Sequence, residues 1–116
     1  MIDTPRNPEF DLRVDRQRSA VILRLSGELD LVGAERVDSC VDELVRDPPD
    51  ELVIDLRAVT FMDSMGLRSL IRARAKGADA KLPVKLVRGS DQVQRVMTMT
   101  RMDDHFEFVE PSADEG

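Results

Sequence analysis

The sequence predicts a single α/β domain, with a mixed and mostly parallel sheet of four or five strands, an antiparallel N-terminal hairpin and flanking helices. Three observations carry this. Apolar residues recur first at strand period and then, repeatedly, at helical period. The first two strand-like runs are separated only by the polar turn "DRQRS" (15–19), which suits a hairpin. After them, strands alternate with helices of ten to fifteen residues, the signature of right-handed crossovers between parallel strands.

In chain order, "FDLRV" (10–14) puts Phe10, Leu12 and Val14 on one face and Asp11 and Arg13 on the other, and "AVILRLSG" (20–27) is a second, more apolar strand. In "LVGAERVDSCVDELVRDPPD" the period changes: Val37, Cys40 or Val41, and Leu44 or Val45 recur at helical spacing over 33–46, and Pro48-Pro49 cannot continue the helix. Cys40 lies beside that stripe and reads as a small core hydrophobe. "ELVIDLRAV" (51–59) is nearly continuous in apolar residues, as expected of a central strand covered on both faces, and Asp55 within it calls for a structural hydrogen bond. A helix follows with Leu67, Leu70, Ile71 and Ala75 as its stripe, Arg68, Arg72 and Lys76 as its solvated face, and Gly77 as its stop. "PVKLV" (83–87) is a short strand, "SDQVQRVMTM" (90–99) a helix capped by Ser90 or Asp91, and "HFEFVE" (105–110) a last short strand. The domain therefore spans 10–109, with a loose N-terminal tail at 1–9 and an acidic one at 110–116.

Composition removes several functions. A net charge of −6 disfavours a phosphate backbone or an anionic membrane as partner. The apolar runs are too short to span a bilayer and the N-terminus lacks a signal-peptide pattern, so a cytoplasmic protein is expected. With one Cys and one His, neither a disulfide nor a zinc site is expected. No glycine-rich nucleotide motif occurs, and His105 would have to be the base in any Ser-His arrangement, so an enzyme is not expected.

What remains is "VTFMDSMGLRSL" (59–70), where a strand stops and a helix begins at an Asp-Ser pair followed by glycine. Ser64 sits where unpaired N–H groups favour a negative group. Gly66 lets another backbone, or a phosphate, approach the first turn. Asp63 or Ser64 serving as an ordinary N-cap is the simpler reading of the same residues. Because functional sites of such sheets lie outside the carboxyl ends of the strands, residues 26–33 and 60–66 should be neighbours.

Gly27–Asp30 ("GELD"), Leu52–Leu56 ("LVIDL") and Val59, Phe61, Asp63, Ser64, Gly66 and Leu67 together resemble the STAS domain family, in particular the bacterial anti-sigma factor antagonists, and the likeness runs from about Phe10 to Val109. The resemblance implies a protein that works by binding. Its partner would be an anti-sigma factor serine kinase of the histidine-kinase-like ATPase fold, whose capture releases the sigma factor. That kinase would phosphorylate Ser64, a PP2C-like phosphatase would reverse the modification, and ATP and Mg²⁺ would belong to the kinase, leaving this chain without a cofactor. The docking surface implied is Asp30, Asp63, Ser64, Met65, Gly66 and Leu67, with Asp30 either shaping that surface or capping its helix. Thr60, Ser26 and Ser69 are the other hydroxyls in reach of the motif. Another use of the same domain, as a subunit of a lipid-transport ABC system bound constitutively to its ATPase, is the alternative.

Overall fold

The computed structural model describes residues 9–111, so the two expected tails lie, save Glu9, Glu110 and Pro111, outside the described residues. The elements are β1 (Asp11–Arg16), β2 (Ala20–Leu29), α1 (Leu31–Leu44), β3 (Glu51–Met62), α2 (Ser64–Asp79), β4 (Val84–Val87), α3 (Asp91–Met99), a 3₁₀ turn (Asp103–His105) and β5 (Glu107–Phe108). They form one five-stranded sheet in the order β1-β2-β3-β4-β5, antiparallel between β1 and β2 and parallel thereafter.

This order has a consequence for layering. Each strand lies beside its chain neighbour, so crossovers of one hand place α1, α2 and α3 on the same face of the sheet, and α2 touches both α1 and α3. Leu23, Leu25, Leu29, Leu52, Ile54 and Leu56 point to that face and meet Val37, Val41, Leu70, Val93 and Met97 in one core. The expectation that β3 is covered by helices on both faces is corrected. Its other face carries charge: Arg24 bridges Asp15 (2.7 Å) and Asp55 (3.3 Å), Arg57 meets Asp55 (2.7 Å), and Lys85 stands between Glu51 (3.2 Å) and Glu107 (3.8 Å).

Asp55 is the buried member of this lattice, 5% exposed, and makes the structural hydrogen bonds expected of it, accepting from the Arg57 backbone N–H (3.0 Å) and guanidinium. Burial alone would raise its carboxyl, but the hydrogen bonds from Arg57 and the charges of Arg57 and Arg24 outweigh it and hold the group below its usual value. A group depressed in this way stabilises the fold above the ordinary carboxylate range and loses that contribution as pH falls through its folded-state value. Asp55→Asn is therefore expected to cost about 2 kcal/mol near neutrality, less than a fully buried pair because both arginines reach solvent. The difference between the two proteins should shrink below about pH 4, as denaturant melts across pH will read.

Two strand and helix ends depart from expectation here, each for a local reason. β3 runs to Met62 rather than 59 because its pairing with β2 shifts register twice, between Arg24 and Ser26 and between Gly27 and Glu28. The extra residues change the inward spacing from Leu52, Ile54 and Leu56 to Val59 and Met62, which hides the strand period. Helix α2 continues through Gly77, where a Cβ would lie 2.5 Å from the Leu82 carbonyl oxygen; this glycine permits close contact and is not the stop. The stop is Lys81, at φ 60°, with the Leu82 N–H donating to Gly77 O (2.7 Å) and the Lys81 N–H to Ala78 O (3.2 Å). The inward stripe of α2 is accordingly Leu67, Leu70, Ala73 and Gly77, with Ile71 and Ala75 exposed. Arg72, expected on the solvated face, instead makes a two-pronged pair with Asp38 of α1 (3.1 and 2.8 Å).

Candidate partner-docking and phosphorylation site

Strands β2 and β3 end level with each other: Leu29 pairs with Met62, and the Asp63 N–H reaches the Leu29 carbonyl (3.4 Å). The expected proximity of residues 26–33 and 60–66 is observed. An aspartate follows each strand directly, in extended backbone, and caps the next helix. Asp30 Oδ1 accepts from the Val32 and Gly33 N–H groups (3.2 and 3.4 Å), and Asp63 Oδ1 from those of Met65 and Gly66 (3.0 and 3.1 Å). Helix α1 thus begins at Leu31, two residues before the expected start. The two helices leave side by side and are tied along their length by Arg72–Asp38 (2.8 Å) and Lys76–Asp42 (2.6 Å).

Of the two capping candidates, Asp63 is the cap. Ser64 is the first residue of α2 and is exposed. A hydroxyl at the N-cap would be engaged with the helix N–H groups; here the carboxylate before it does that task, and Ser64 stands at a helix N-terminus facing solvent. Asp63→Ala should cost about 1 kcal/mol in global stability, and the loss should appear in hydrogen exchange first at Met65 and Gly66, whose N–H groups lose their acceptor.

Gly66 answers to the chain itself: a Cβ there would lie 2.2 Å from the Leu29 carbonyl oxygen and 3.0 Å from Met62 Cγ. Leu67 and Met62 are core residues, at 4% and 0% exposure, whereas Met65 is half-buried. Any contribution of Gly66 and Leu67 to docking therefore runs through the placement of the turn, while Asp63, Ser64 and Met65 have surface to offer. Sequence reasoning missed three exposed apolar neighbours: Leu31 (50%), Val32 (63%) and Phe61 (40%). Leu31 holds in α1 the place that Ser64 holds in α2. The available signal was a pair of apolar residues directly after a cap, in a first turn whose core-facing places are already taken by Gly33 and Ala34.

Of the other hydroxyls, Ser69 is fully buried and donates to Gly66 O (2.6 Å), Ser26 is half-buried in β2, and Thr60 is exposed on β3. His105 is exposed in the 3₁₀ turn and lines a groove with Leu82 and Pro83, at the start of β4 and so at the opposite end of the sheet from Ser64. Among the described residues no group of three or more His, Cys, Asp or Glu is placed to hold a metal, and no helix is long and apolar enough to cross a membrane.

Comparison with known proteins agrees with this architecture. The STAS domain family model matches residues 11–115. The anti-sigma-F factor antagonist RsfB of Mycobacterium tuberculosis is 41% identical over 70 residues, a match covering 60% of this chain and 57% of that protein. A crystal structure of an anti-sigma factor antagonist from Mycobacterium paratuberculosis superposes with a TM-score of 0.74 at 29% identity, covering 92% of this chain and 90% of the other. SpoIIAA shares the fold at 19% identity in its unphosphorylated form (TM-score 0.74, covering 92% and 91%) and at 18% in its phosphorylated form (TM-score 0.70, covering 92% and 95%).

Proposed function

This chain belongs to the STAS domain family, and from that we propose that it is an anti-sigma factor antagonist: it binds an anti-sigma factor serine kinase in the cytoplasm, frees the sigma factor, and is switched off by phosphorylation of Ser64. The observation that carries the reading is the division of labour at residues 63 and 64. A carboxylate caps the helix, and the serine beside it is left exposed at the helix N-terminus.

The electrostatics give such a switch its direction. The γ-phosphoryl group of ATP, held with Mg²⁺ by the kinase, would pass to Ser64 Oγ as its bond to the bridging oxygen of the β-phosphate breaks, leaving ADP, while the hydroxyl proton passes to a base of the kinase. The product carries about −1.5 to −2 charges at neutral pH. A helix N-terminus accommodates negative charge, so the fold survives the modification. The docking face does not fare as well, because the new charge stands beside Asp63 and the paired turn of Asp30. A partner surface suited to Leu31, Val32, Phe61 and Met65 would then have to desolvate or oppose it. A PP2C-like phosphatase would restore the original surface.

The test is capture from the source cells with tagged wild type, Ser64→Ala and Ser64→Asp. Retention of a small ATPase-fold kinase by the wild type and the alanine form, with loss by the aspartate form, is the expected result. Equal retention of ABC-transporter subunits by all three would replace the reading with a constitutive binding role. Loss of function in Ser64→Ala would point instead to a chemical role for the hydroxyl.

A further inference from the structure

Strand β3 is longer than its neighbour on one side. Its pairing with β4 ends at Asp55 opposite Val87, yet β3 continues to Met62. Among the described residues no strand meets that edge of Met62, and its backbone N–H and C=O nevertheless both find a partner. Gln92, the second residue of α3, accepts the Met62 N–H at Oε1 (3.0 Å) and donates from Nε2 to the Met62 carbonyl (3.3 Å). One side-chain amide thereby makes both hydrogen bonds that a strand residue would make.

The residue supplying this brace is itself fixed. Ser90 Oγ caps α3 at the Val93 N–H (3.4 Å), the Gly89 N–H donates to Gln94 Oε1 (2.8 Å), and Val93 and Met97 are fully buried in the core. The peptide that carries the Met62 carbonyl is held on the other side of β3 as well, by the Asp63 N–H to Leu29 O. The segment entering the Asp63–Ser64 turn is thus gripped from β2 on one side and from α3 on the other.

We propose that Gln92 is a positioning residue for Ser64: its amide stands in for the absent strand and sets the geometry in which the turn presents the serine hydroxyl to a modifying kinase. This rests on the reading of Ser64 as a phosphorylation site. The role differs from ordinary fold stabilisation because the brace acts on one residue at the strand's end, on the edge that β4 leaves after Asp55, whereas the opposite edge of β3 is held by β2 along its whole length. A misplaced turn should weaken recognition of the substrate more than it slows transfer once the substrate is bound.

The experiment uses the full chain as wild type, Gln92→Ala and Gln92→Glu, with ATP and the kinase captured by the wild type. Amide exchange at Met62 should accelerate about tenfold in Gln92→Ala, while Leu23 and Ile54 in the sheet keep their protection. KM for phosphate transfer to Ser64 should rise about fivefold or more with kcat within about twofold. Glutamate keeps an acceptor for the Met62 N–H but has no donor for its carbonyl, so Gln92→Glu should retain Met62 protection and recover only part of the KM. Unchanged exchange at Met62, or faster exchange with a wild-type KM, overturns the proposal while leaving Ser64 phosphorylation intact. If the wild type itself takes up no phosphate, the phosphorylation reading fails and this proposal falls with it.

Discussion

Gly66→Ala is expected to destabilise the domain by about 2–3 kcal/mol, even though alanine is the better helix former by about 1 kcal/mol. The added methyl would lie 2.2 Å from the Leu29 carbonyl oxygen and 2.8 Å from Leu29 Cγ. The first of these is backbone at the end of β2, already accepting from the Asp63 N–H, and it has no rotamer by which to yield. Relief comes only if the first turn of α2 lifts from the sheet, which draws Leu67 and Leu70 out of the core. The effect should appear as a lower denaturant midpoint with an unchanged slope, and as a fall in melting temperature of about 10 °C. Arg68→Ala, at an exposed position two residues along the same helix, should stay within about 0.5 kcal/mol of wild type. The same lifted turn carries Ser64, so the variant should also lose partner capture.

Ser64→Asp should separate stability from binding in opposite directions. At the first position of α2 a carboxylate interacts favourably with the helix dipole, so the melting temperature should hold or rise slightly, consistent with about 0.3–1 kcal/mol. Affinity for the captured partner should fall about 100-fold or more, since like charge set against a docking face costs on the order of several kcal/mol and about 1.4 kcal/mol is a factor of ten. An Ala variant removes the hydroxyl without adding charge and should bind as the wild type does. A loss of affinity accompanied by an equal loss of stability would mean that the aspartate had damaged the fold, and calorimetry on the free chain distinguishes the two.

The elements were legible in the sequence because apolar period, polar turns and caps agreed along most of the chain. The alternation from Phe10 to Leu25 and the stripe at Val37, Val41 and Leu44 are of this kind. The ends were less legible where an unexpected residue did a familiar task. Lys81 and Arg101 take the left-handed positions that close α2 and α3, at φ 60° and 61°, where glycine is the usual signal. Bulged pairing between β2 and β3 broke the period that would have extended β3 to Met62. The layering was misread for a different reason. "LVIDL" is apolar enough for a strand covered on both faces, but sequential strand order puts every helix on one side and leaves Asp55 to a lattice of arginines.

At the site, the sequence carried the twin Asp-capped turns but not their division of roles. Asp30 and Asp63 both stand after a strand and before a helix, and that much is a matter of spacing. Whether Asp63 or Ser64 capped α2 depended on backbone dihedrals, which place Asp63 in extended conformation and Ser64 inside the helix. Gly66 read as room for a visitor and proved to be room for Leu29. Gln92 gave no signal at all. A glutamine in the first turn of a helix is unremarkable until the strand it completes, thirty residues earlier, is known to end without a neighbour.

The most direct test of the central claim is to incubate the purified chain with the kinase captured by its wild-type form, add ATP and Mg²⁺, and follow two quantities together: the intact mass of the chain and the amount of complex. The account expects one phosphate, located at Ser64 by fragmentation, and dissociation of the complex as that phosphate appears; Ser64→Ala should remain unmodified and bound. A phosphate elsewhere, such as Thr60, or a complex that persists after Ser64 is fully modified, would contradict it.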